Sequence, residues 1–335
     1  MEQIRNSLVE KTLMRVGFFD DFYRCYEKTA RPEPLSPENS LILVKENARL
    51  LEIVEKYGAY ACPALDHTQW SPSLLEGIDL RRFRADSCYM WQINDGNVPL
   101  TYIATYYYYK ASINADLLAL CKEDSQFGIC GVPLGDEFVT RDRLDSVAEL
   151  GFLREALSLD SKSRVHVLDI GSGYGRTAWR ISQCFPNISI TCTDAIPVSA
   201  FICEFYLKHR RVSPSAKVVL LPHLQSELST TRVDVAIAIN SITECPATAI
   251  EWWLEIIRSY EIRIVLVVPN AGYNGGRKMF STEDDKSKRA DIEALFKKYG
   301  YGHRAMLPKY SDPTMQRYGV SPTYYHLFEH LPRAL

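Results

Sequence analysis

Short apolar segments rich in β-branched residues alternate with longer helical segments along the second half of the chain. This alternation predicts βαβ units, because neighbouring parallel strands need a crossover helix between them. The expected strands cover residues 165–170, 188–193, 217–221, 233–239 and 262–268, with two short strands near residue 305 and over 324–328, and the expected helices cover 175–184, 197–209, 247–260 and 291–299. We therefore expect a doubly wound α/β fold, with a mainly parallel sheet that helices cover on both faces.

The N-terminal part of the chain lacks this alternation and is predicted to be mostly helical. Apolar residues recur at helical spacing between Leu41 and Val54, and Gly58 ends the pattern. A second helix is expected from about Pro99, and a third over residues 142–157. We predict a mostly helical region over residues 1–140, serving as a cap or a dimerisation surface, and a second domain over 141–335.

Composition excludes several classes of partner. The 335 residues carry a formal net charge of −2, which gives no basic surface for nucleic acid. No stretch approaches the roughly 18 apolar residues that a membrane span needs, and the first residues do not resemble a secretory signal. The nine cysteines are scattered and form no CxxC pair, which favours neither a disulfide framework nor a zinc module. We expect a cytoplasmic protein with a small-molecule substrate and no membrane or nucleic-acid partner.

A glycine-rich turn joins the first expected strand of the second half to its first helix. The segment is Val167-Leu-Asp-Ile-Gly-Ser-Gly-Tyr-Gly-Arg176, with glycines at three alternate positions. Glycine allows positive φ and close approach of a ligand to the backbone, and the helix that follows presents free N–H groups. A turn at this junction is where α/β sheets bind nucleotides.

Two kinds of cofactor compete for this turn. A nicotinamide fingerprint needs a glycine at the position of Arg176, whereas Asp169, two residues before the first glycine, suits a cofactor with a cationic amino group. Asp194 ends the next expected strand, 19 residues beyond Gly175 (194 − 175), where a carboxylate can accept both ribose hydroxyls. Asp169 together with Asp194 favours S-adenosylmethionine, which carries such an amino group and lacks a pyrophosphate.

Over about residues 141–330 the chain resembles the class I S-adenosylmethionine-dependent methyltransferases. The resemblance implies a Rossmann-like sheet of seven strands with an antiparallel strand near the C-terminus. Three segments are also similar to a family of sugar O-methyltransferases that carries an extra N-terminal region: Asp-Ile-Gly-Ser-Gly-Tyr-Gly-Arg over 169–176, Leu-Leu-Pro-His over 220–223, and Asn-Ser-Ile-Thr-Glu over 240–244.

The resemblance assigns cofactor roles position by position. It implies that Asp169, Gly171 and Gly173 hold the methionine part of the cofactor, Asp194 holds the ribose, and the loop with His223 holds the adenine. The cofactor-binding residues expected on this basis are Asp169, Gly171, Ser172, Gly173, Tyr174, Asp194, Ala195, His223 and Asn240.

Catalysis of methyl transfer needs alignment of the acceptor and removal of a proton from a weakly acidic hydroxyl. Glu244, just after the fourth expected strand, is the first candidate for the general base, although it could equally favour the following helix N-terminus. His223 is the second candidate, with a place in the adenine pocket as the stronger alternative. The expected substrate contacts are Ser241, Thr243, Tyr273 and Asn274.

A divalent ion such as Mg²⁺ would bind through oxygens of this kind, but one carboxylate and one amide are a thin ligand set. A metal therefore stays unassigned. The sequence predicts transfer of a methyl group from S-adenosylmethionine to a hydroxyl of a small molecule, with a sugar or saccharide favoured. A nicotinamide-dependent oxidoreductase and a catalytically inactive S-adenosylmethionine-binding protein are the alternatives, and a homodimer is one option for the assembly.

Overall fold

The computed structural model describes residues 33–66, 70, 76–84, 98–212, 214–270 and 274–331. The chain forms two compact units, each discontinuous in sequence. Among the described residues, the helical unit comprises residues 33–44, 78–84, 98–160 and 308–322, and the sheet unit comprises residues 45–66, 70, 76–77, 161–212, 214–270, 274–307 and 323–331. These units group residues that pack together in space. The predicted division into two sequence domains, 1–140 and 141–335, stays a prediction.

The elements agree with most of the expected segments. In chain order the helices are α1 (Pro37–Ile42), α2 (Ala48–Gly58), α3 (Val98–Lys110), α4 (Ala115–Leu120), α5 (Arg141–Leu157), α6 (Arg176–Cys184), α7 (Pro197–His209), α8 (Leu224–Leu228), α9 (Ala247–Ser259), α10 (Ile292–Lys298) and α11 (Pro313–Tyr318). The strands are β1 (Gly131–Leu134), β2 (Glu137–Thr140), β3 (His166–Ile170), β4 (Ser189–Thr193), β5 (Ala216–Val218), β6 (Val235–Ile239), β7 (Ile264–Val268), β8 (Tyr301–Pro308) and β9 (Tyr324–His330).

The sheet unit contains seven strands in the order β5-β4-β3-β6-β7-β9-β8. Strands β3 to β7 pair in parallel, and β9 pairs antiparallel with β7. All five residues of β6 are buried, as expected for a central strand with helices on both faces. The predicted fold class is therefore confirmed: a Rossmann-like, mainly parallel seven-stranded sheet with an antiparallel strand near the C-terminus, and a helical N-terminal part.

Parallel strands bring their carboxyl ends to one edge of the sheet. Asp194 therefore follows β4 at the same edge at which Gly171 follows β3, and Asn240 and Pro269 follow β6 and β7 there. We call this the carboxyl edge. In doubly wound sheets, ligands bind outside this edge, where the strand order reverses. Here the order reverses at β3, since β4 and β6 lie on its two sides.

The helical unit is held together by buried charges and aromatic rings. Arg84 is fully buried and pairs with the buried carboxylates of Glu123 at 2.7 Å and Asp142 at 3.0 Å. Of the four consecutive tyrosines 106–109, three are buried in the core, and Tyr108 contacts the Ser311 hydroxyl at 3.0 Å. Among the described residues, no helix is both long and apolar enough to cross a membrane.

Candidate functional site

The glycine-rich turn between β3 and α6 is shaped by contacts that only glycine allows. Gly171, Gly173 and Gly175 have φ values of 72°, 55° and 87°. The amides of Gly171 and Ser172 donate to the carbonyl of Thr193 at 2.9 and 3.1 Å, which joins the turn to the end of β4. A Cβ at Gly171 would lie 2.3 Å from the Cβ of Ser241. The turn therefore needs glycine both for its conformation and for its contact with the chain after β6.

Asp169 places a buried carboxylate beneath this turn. It is 2% exposed and lies in β3, opposite Cys192 of β4 and Ile237 of β6. A carboxylate at such a depth is stable only with hydrogen-bond donors or a cation around it. The position therefore suits a ligand that brings a positive charge to the carboxyl edge.

Asp194 connects the turn to the tip of β4. One carboxylate oxygen accepts the Gly173 amide at 2.8 Å, and the other accepts the Ile196 amide at 2.8 Å. Burial raises the pKa of Asp194 from 3.8 to about 7, against the lowering effect of these backbone donors, and the charge of Glu244 raises it further. The Ala195 amide lowers this pKa as well. Since the two oxygens of an ionised carboxylate have about four lone-pair sites, it can still accept a hydroxyl group of a ligand.

Tyr57 of α2 holds the backbone of Asp194 in place. Its hydroxyl donates to the backbone carbonyl of Asp194 at 2.7 Å and accepts the Leu221 amide at 3.1 Å. One phenol thus joins the loops that follow β4 and β5. This residue was not predicted as part of the site, because a tyrosine on the apolar face of a helix has the same sequence pattern as any other core position.

His223 lies in the loop after β5, in a short 3₁₀ helix over Leu221–His223. Its side chain is exposed and borders a groove of about 490 Å³. Arg49 of α2 lies in the same groove and binds the Glu204 carboxylate of α7 through two hydrogen bonds of 2.9 and 2.6 Å. The adenine-binding and base roles of His223 stay predictions.

Glu244 ends a 3₁₀ helix, Ile242–Glu244, just after β6. The indole Nε1 of Trp70 donates to its Oε2 at 2.9 Å, and Nδ2 of Asn270 donates to its Oε1 at 2.9 Å. Burial raises the pKa of Glu244, while these two donors oppose the shift. Since its charge also raises the pKa of Asp194, the two carboxylates lie within electrostatic range of each other.

Three further candidates follow β6. Asn240 has a positive φ of 56°, and its amide donates to the carbonyl of Val268 at 2.7 Å. Strained backbone of this kind is typical of functional sites. The Ser241 hydroxyl donates to the Ile170 carbonyl at 2.6 Å and so joins the ends of β3 and β6. The Thr243 hydroxyl is buried and has no hydrogen-bond partner among the residues that the structure describes.

The remaining predicted contacts differ in their surroundings. The Asn274 side chain stabilises the conformation of its own loop, because its oxygen accepts the Gly276 amide at 3.0 Å. Tyr273 lies outside the described residues. The ring of Tyr174 is 2% exposed and packs perpendicular to the Tyr206 ring at 5.3 Å, so a cofactor contact there would come from the backbone. Within the part of the chain that the structure describes, no group of three or more His, Cys, Asp or Glu residues could hold a metal ion.

The carboxyl edge therefore brings together most of the predicted site. The glycine turn, Asp169, Asp194 with Ala195, and residues 240–244 share this edge, and His223 and Asn274 lie in the loops after β5 and β7. Three further residues of this edge, Tyr57, Trp70 and Asn270, were not among the predicted site residues. The first two precede every strand of the sheet in the chain, and no local motif marks them.

Comparison with known proteins gives likenesses in the fold only. No family model matches the chain, and no curated protein matches it. Among solved structures, the precorrin-6y C5,15-methyltransferase from Geobacter metallireducens is 14% identical, with 55% of this chain and 88% of that chain covered and a TM-score of 0.37. An O-methyltransferase from neocarzinostatin biosynthesis, solved with S-adenosylmethionine and a hydroxynaphthoic acid, is 18% identical, with 57% and 56% covered and a TM-score of 0.37. The [4+2]-cyclase SpnF is 17% identical, with 57% and 82% covered and a TM-score of 0.38. Likenesses at this level show the fold alone.

Proposed function

We propose that the protein is an S-adenosylmethionine-dependent O-methyltransferase that acts on a hydroxyl of a small molecule. One observation carries the proposal: a glycine turn with three positive-φ positions lies between the buried carboxylate of Asp169 and the α6 N-terminus, and Asp194 is hydrogen-bonded to that turn. This arrangement presents two carboxylates and bare backbone to a ligand at the carboxyl edge.

The residues fit an adenosyl amino acid. Asp169 would bind the cationic amino group, and the backbone of residues 171–174 would lie along the methionine part. Asp194 keeps acceptor capacity for the ribose hydroxyls, and Ala195 follows it at the same strand tip. His223 would border the adenine, and Asn240 would contact the cofactor from the end of β6.

The same donor set fits a nicotinamide dinucleotide less well. A pyrophosphate is anionic, and two buried carboxylates around the turn would repel it. Arg176, at the third-glycine position of the dinucleotide fingerprint, is the first residue of α6 and is 8% exposed. A catalytically inactive protein that only binds S-adenosylmethionine would share all these features, so activity needs its own test.

The chemistry of the bound cofactor is donation of a methyl group from a sulfonium. The protein's own part is to align the acceptor and to take its proton. Glu244 is suited to this step, because burial raises the pKa of its carboxyl and so makes it a stronger base than an exposed glutamate. The hydroxyl proton of the acceptor would move to a free lone pair of Glu244, and a bound cofactor would supply the methyl group, with the electrons of the broken C–S bond staying on sulfur.

A sugar or saccharide is the proposed acceptor. This part rests on the resemblance of segments 169–176, 220–223 and 240–244 to sugar O-methyltransferases, and on the polar groups at the carboxyl edge. Thr243 has a buried hydroxyl available for hydrogen bonding, and Ser241, Tyr273 and Asn274 complete the proposed substrate contacts.

Calorimetric titration with S-adenosylmethionine and, separately, with NADH tests the cofactor. We expect heat with S-adenosylmethionine only, and roughly 10- to 100-fold weaker binding in Asp169→Asn, because a charge-assisted hydrogen bond contributes about 1.5–3 kcal/mol. Asp285→Asn is the matched control, since the Asp285 side chain is half-exposed, caps a 3₁₀ helix and forms a surface ion pair with Lys288 at 3.8 Å. Binding of NADH alone would overturn the proposal.

Transfer is tested separately with a radiolabelled methyl group and a panel of saccharides. We expect label in at least one saccharide, and loss of at least 100-fold in rate in Glu244→Gln. If the protein binds the cofactor but labels no hydroxyl compound, it is a binding protein and the assignment as an enzyme is wrong.

A further inference from the structure

Two side chains from distant parts of the chain converge on the carboxylate of Glu244. Trp70 belongs to the segment 45–77, which precedes every strand of the sheet, and Asn270 lies two residues beyond β7. Each donates one N–H to a different oxygen, both at 2.9 Å. A carboxylate held in this way cannot rotate without breaking both hydrogen bonds.

The Asn270 side of this arrangement has structural support. The carbonyl of its neighbour Pro269 accepts the Thr323 hydroxyl at 2.8 Å, and the Gly276 carbonyl further along the loop lies 2.7 Å from Nε2 of His326. Both anchoring side chains lie at or next to β9, which pairs with β7. The loop after β7 is therefore fixed at two points beyond its strand.

Both donors are neutral, and this affects what Glu244 can do. A lysine or arginine at either position would hold the carboxylate ionised and weaken it as a base, whereas a neutral amide or indole orients it with a much smaller effect. Among the described residues, the titratable groups whose pKa values the charge of Glu244 raises are Asp194 and Cys245. Neither contributes a positive charge. Each Glu244 oxygen keeps a lone pair for an incoming proton.

We infer that Trp70 and Asn270 are positioning residues, which hold the Glu244 carboxylate in one orientation so that a free lone pair can take the acceptor's proton. The effect on catalysis rests on the proposed function. The hydrogen bonds that orient Glu244, by contrast, form within the protein and need neither cofactor nor substrate. In the reaction the O–H proton passes to Glu244, the new O–CH₃ bond forms, and the electrons of the broken C–S bond stay on sulfur.

The positioning can be measured without cofactor, in protein labelled with ¹⁵N-tryptophan. The chain has five tryptophans, and the indole signal of Trp70 is the one that Trp70→Phe removes. We expect this signal to move with pH in a single step, above the ordinary range of a glutamate, and to stay still in Glu244→Gln. In Asn270→Ala the step should move up by roughly half a pH unit to one unit, because a donor to the ionised form is lost. Trp252→Phe and Asn187→Ala are matched controls and should leave the step in place.

A Trp70 signal that does not titrate, or that titrates equally in Glu244→Gln, overturns the inference. The second readout is the acid limb of the pH profile of kcat/KM. The apparent pKa of this limb should rise in both Trp70→Phe and Asn270→Ala, while KM for the cofactor stays unchanged. A merely structural role would lower the melting temperature and leave the limb in place, and that result also overturns the inference. If the indole titrates as expected but no methyl transfer is found, the positioning stands and the proposed function fails.

Discussion

The contact between Gly171 and Ser241 explains why the first glycine of the turn cannot carry a side chain. A methyl group there would lie 2.3 Å from the Ser241 Cβ, and the backbone already has a φ of 72°. Gly135 offers a comparison, since its φ is 59° and an added Cβ would meet nothing within 4 Å. The two positions separate the effect of backbone strain from that of a steric clash.

We therefore predict that Gly171→Ala lowers the free energy of unfolding by about 2–5 kcal/mol, the sum of left-handed strain and overpacking. Gly135→Ala should cost only the strain, about 1–2 kcal/mol. Urea unfolding of both variants and calorimetry with S-adenosylmethionine measure the difference. Equal losses of stability, or full cofactor affinity in Gly171→Ala, would contradict the steric account.

The buried carboxylate of Asp194 gives a second prediction at the residue scale. Its pKa is about 7 in the folded protein, against an ordinary value of 3.8. Between these two pH values the folded state holds a proton that the unfolded state has released, so this group lowers the free energy of unfolding as pH rises from about 4 to about 7. Above pH 7 its contribution is constant.

Asp194→Asn should remove this dependence of the free energy of unfolding on pH. The new amide can also change the free energy by a constant amount at every pH, which does not affect the comparison. The measurement is the urea midpoint of both proteins at half-unit steps from pH 4.5 to 8. Curves that run parallel over the whole range would show that Asp194 does not titrate in this window.

Residues with a local signature could be predicted from the sequence, and those without one could not. The three glycines, Asp169 and Asp194 belong to one strand–turn–helix pattern and the strand after it, so their common edge follows from the parallel sheet. Trp70 and Asn270 reach Glu244 across sequence separations of 174 and 26 residues. No periodicity or spacing encodes such contacts, since they depend on how loops pack after the sheet has formed.

At the scale of elements, helix α2 has a role that its amphipathic pattern alone does not reveal. The pattern predicted a helix with a buried apolar face; Leu50 and Ile53 are buried as expected, and so is Tyr57, whereas Leu51 and Val54 are exposed. The hydroxyl of Tyr57 then connects the loops after β4 and β5, which carry the ribose and adenine candidates. Helix α2 therefore supports two loops of the carboxyl edge, although it lies more than a hundred residues before β3 in the chain.

We predict that Tyr57→Phe lowers the free energy of unfolding by about 1–3 kcal/mol, because a buried amide and a buried carbonyl lose their shared partner. Binding of S-adenosylmethionine should weaken several-fold for the same reason, since the two loops are no longer joined. Thermal unfolding and calorimetry measure these effects. Tyr318→Phe is the control, because Tyr318 is 52% exposed and the loss of its hydroxyl should change neither stability nor affinity. Normal cofactor affinity in Tyr57→Phe would show that α2 does not contribute to cofactor binding.

At the scale of the whole molecule, the order of elements was easier to predict than the grouping of segments. The parallel strands β3, β4, β6 and β7 each contain a local apolar run, which the periodicity of the sequence shows directly. The grouping depends on long-range contacts instead. Arg49 of α2 binds Glu204 of α7, so an early segment belongs to the sheet unit, while residues 308–322 belong to the helical unit. Lys309 there is buried and bonds to the Asp145 carboxylate of α5.

This grouping predicts how the sheet unit responds to a cofactor. A ligand that binds only the folded state stabilises it by about 2.7 kcal/mol at one hundred times its dissociation constant, and slows amide hydrogen exchange in the segments that open with the site. We expect S-adenosylmethionine to protect the amides of α2 together with those of α6, because Tyr57 links α2 to the Asp194 loop. Exchange measured by mass spectrometry, with Asp169→Asn as the control that binds poorly, gives the comparison. Protection of α6 and the loop after β4, with α2 unchanged, would show that the early segment is not coupled to the cofactor site.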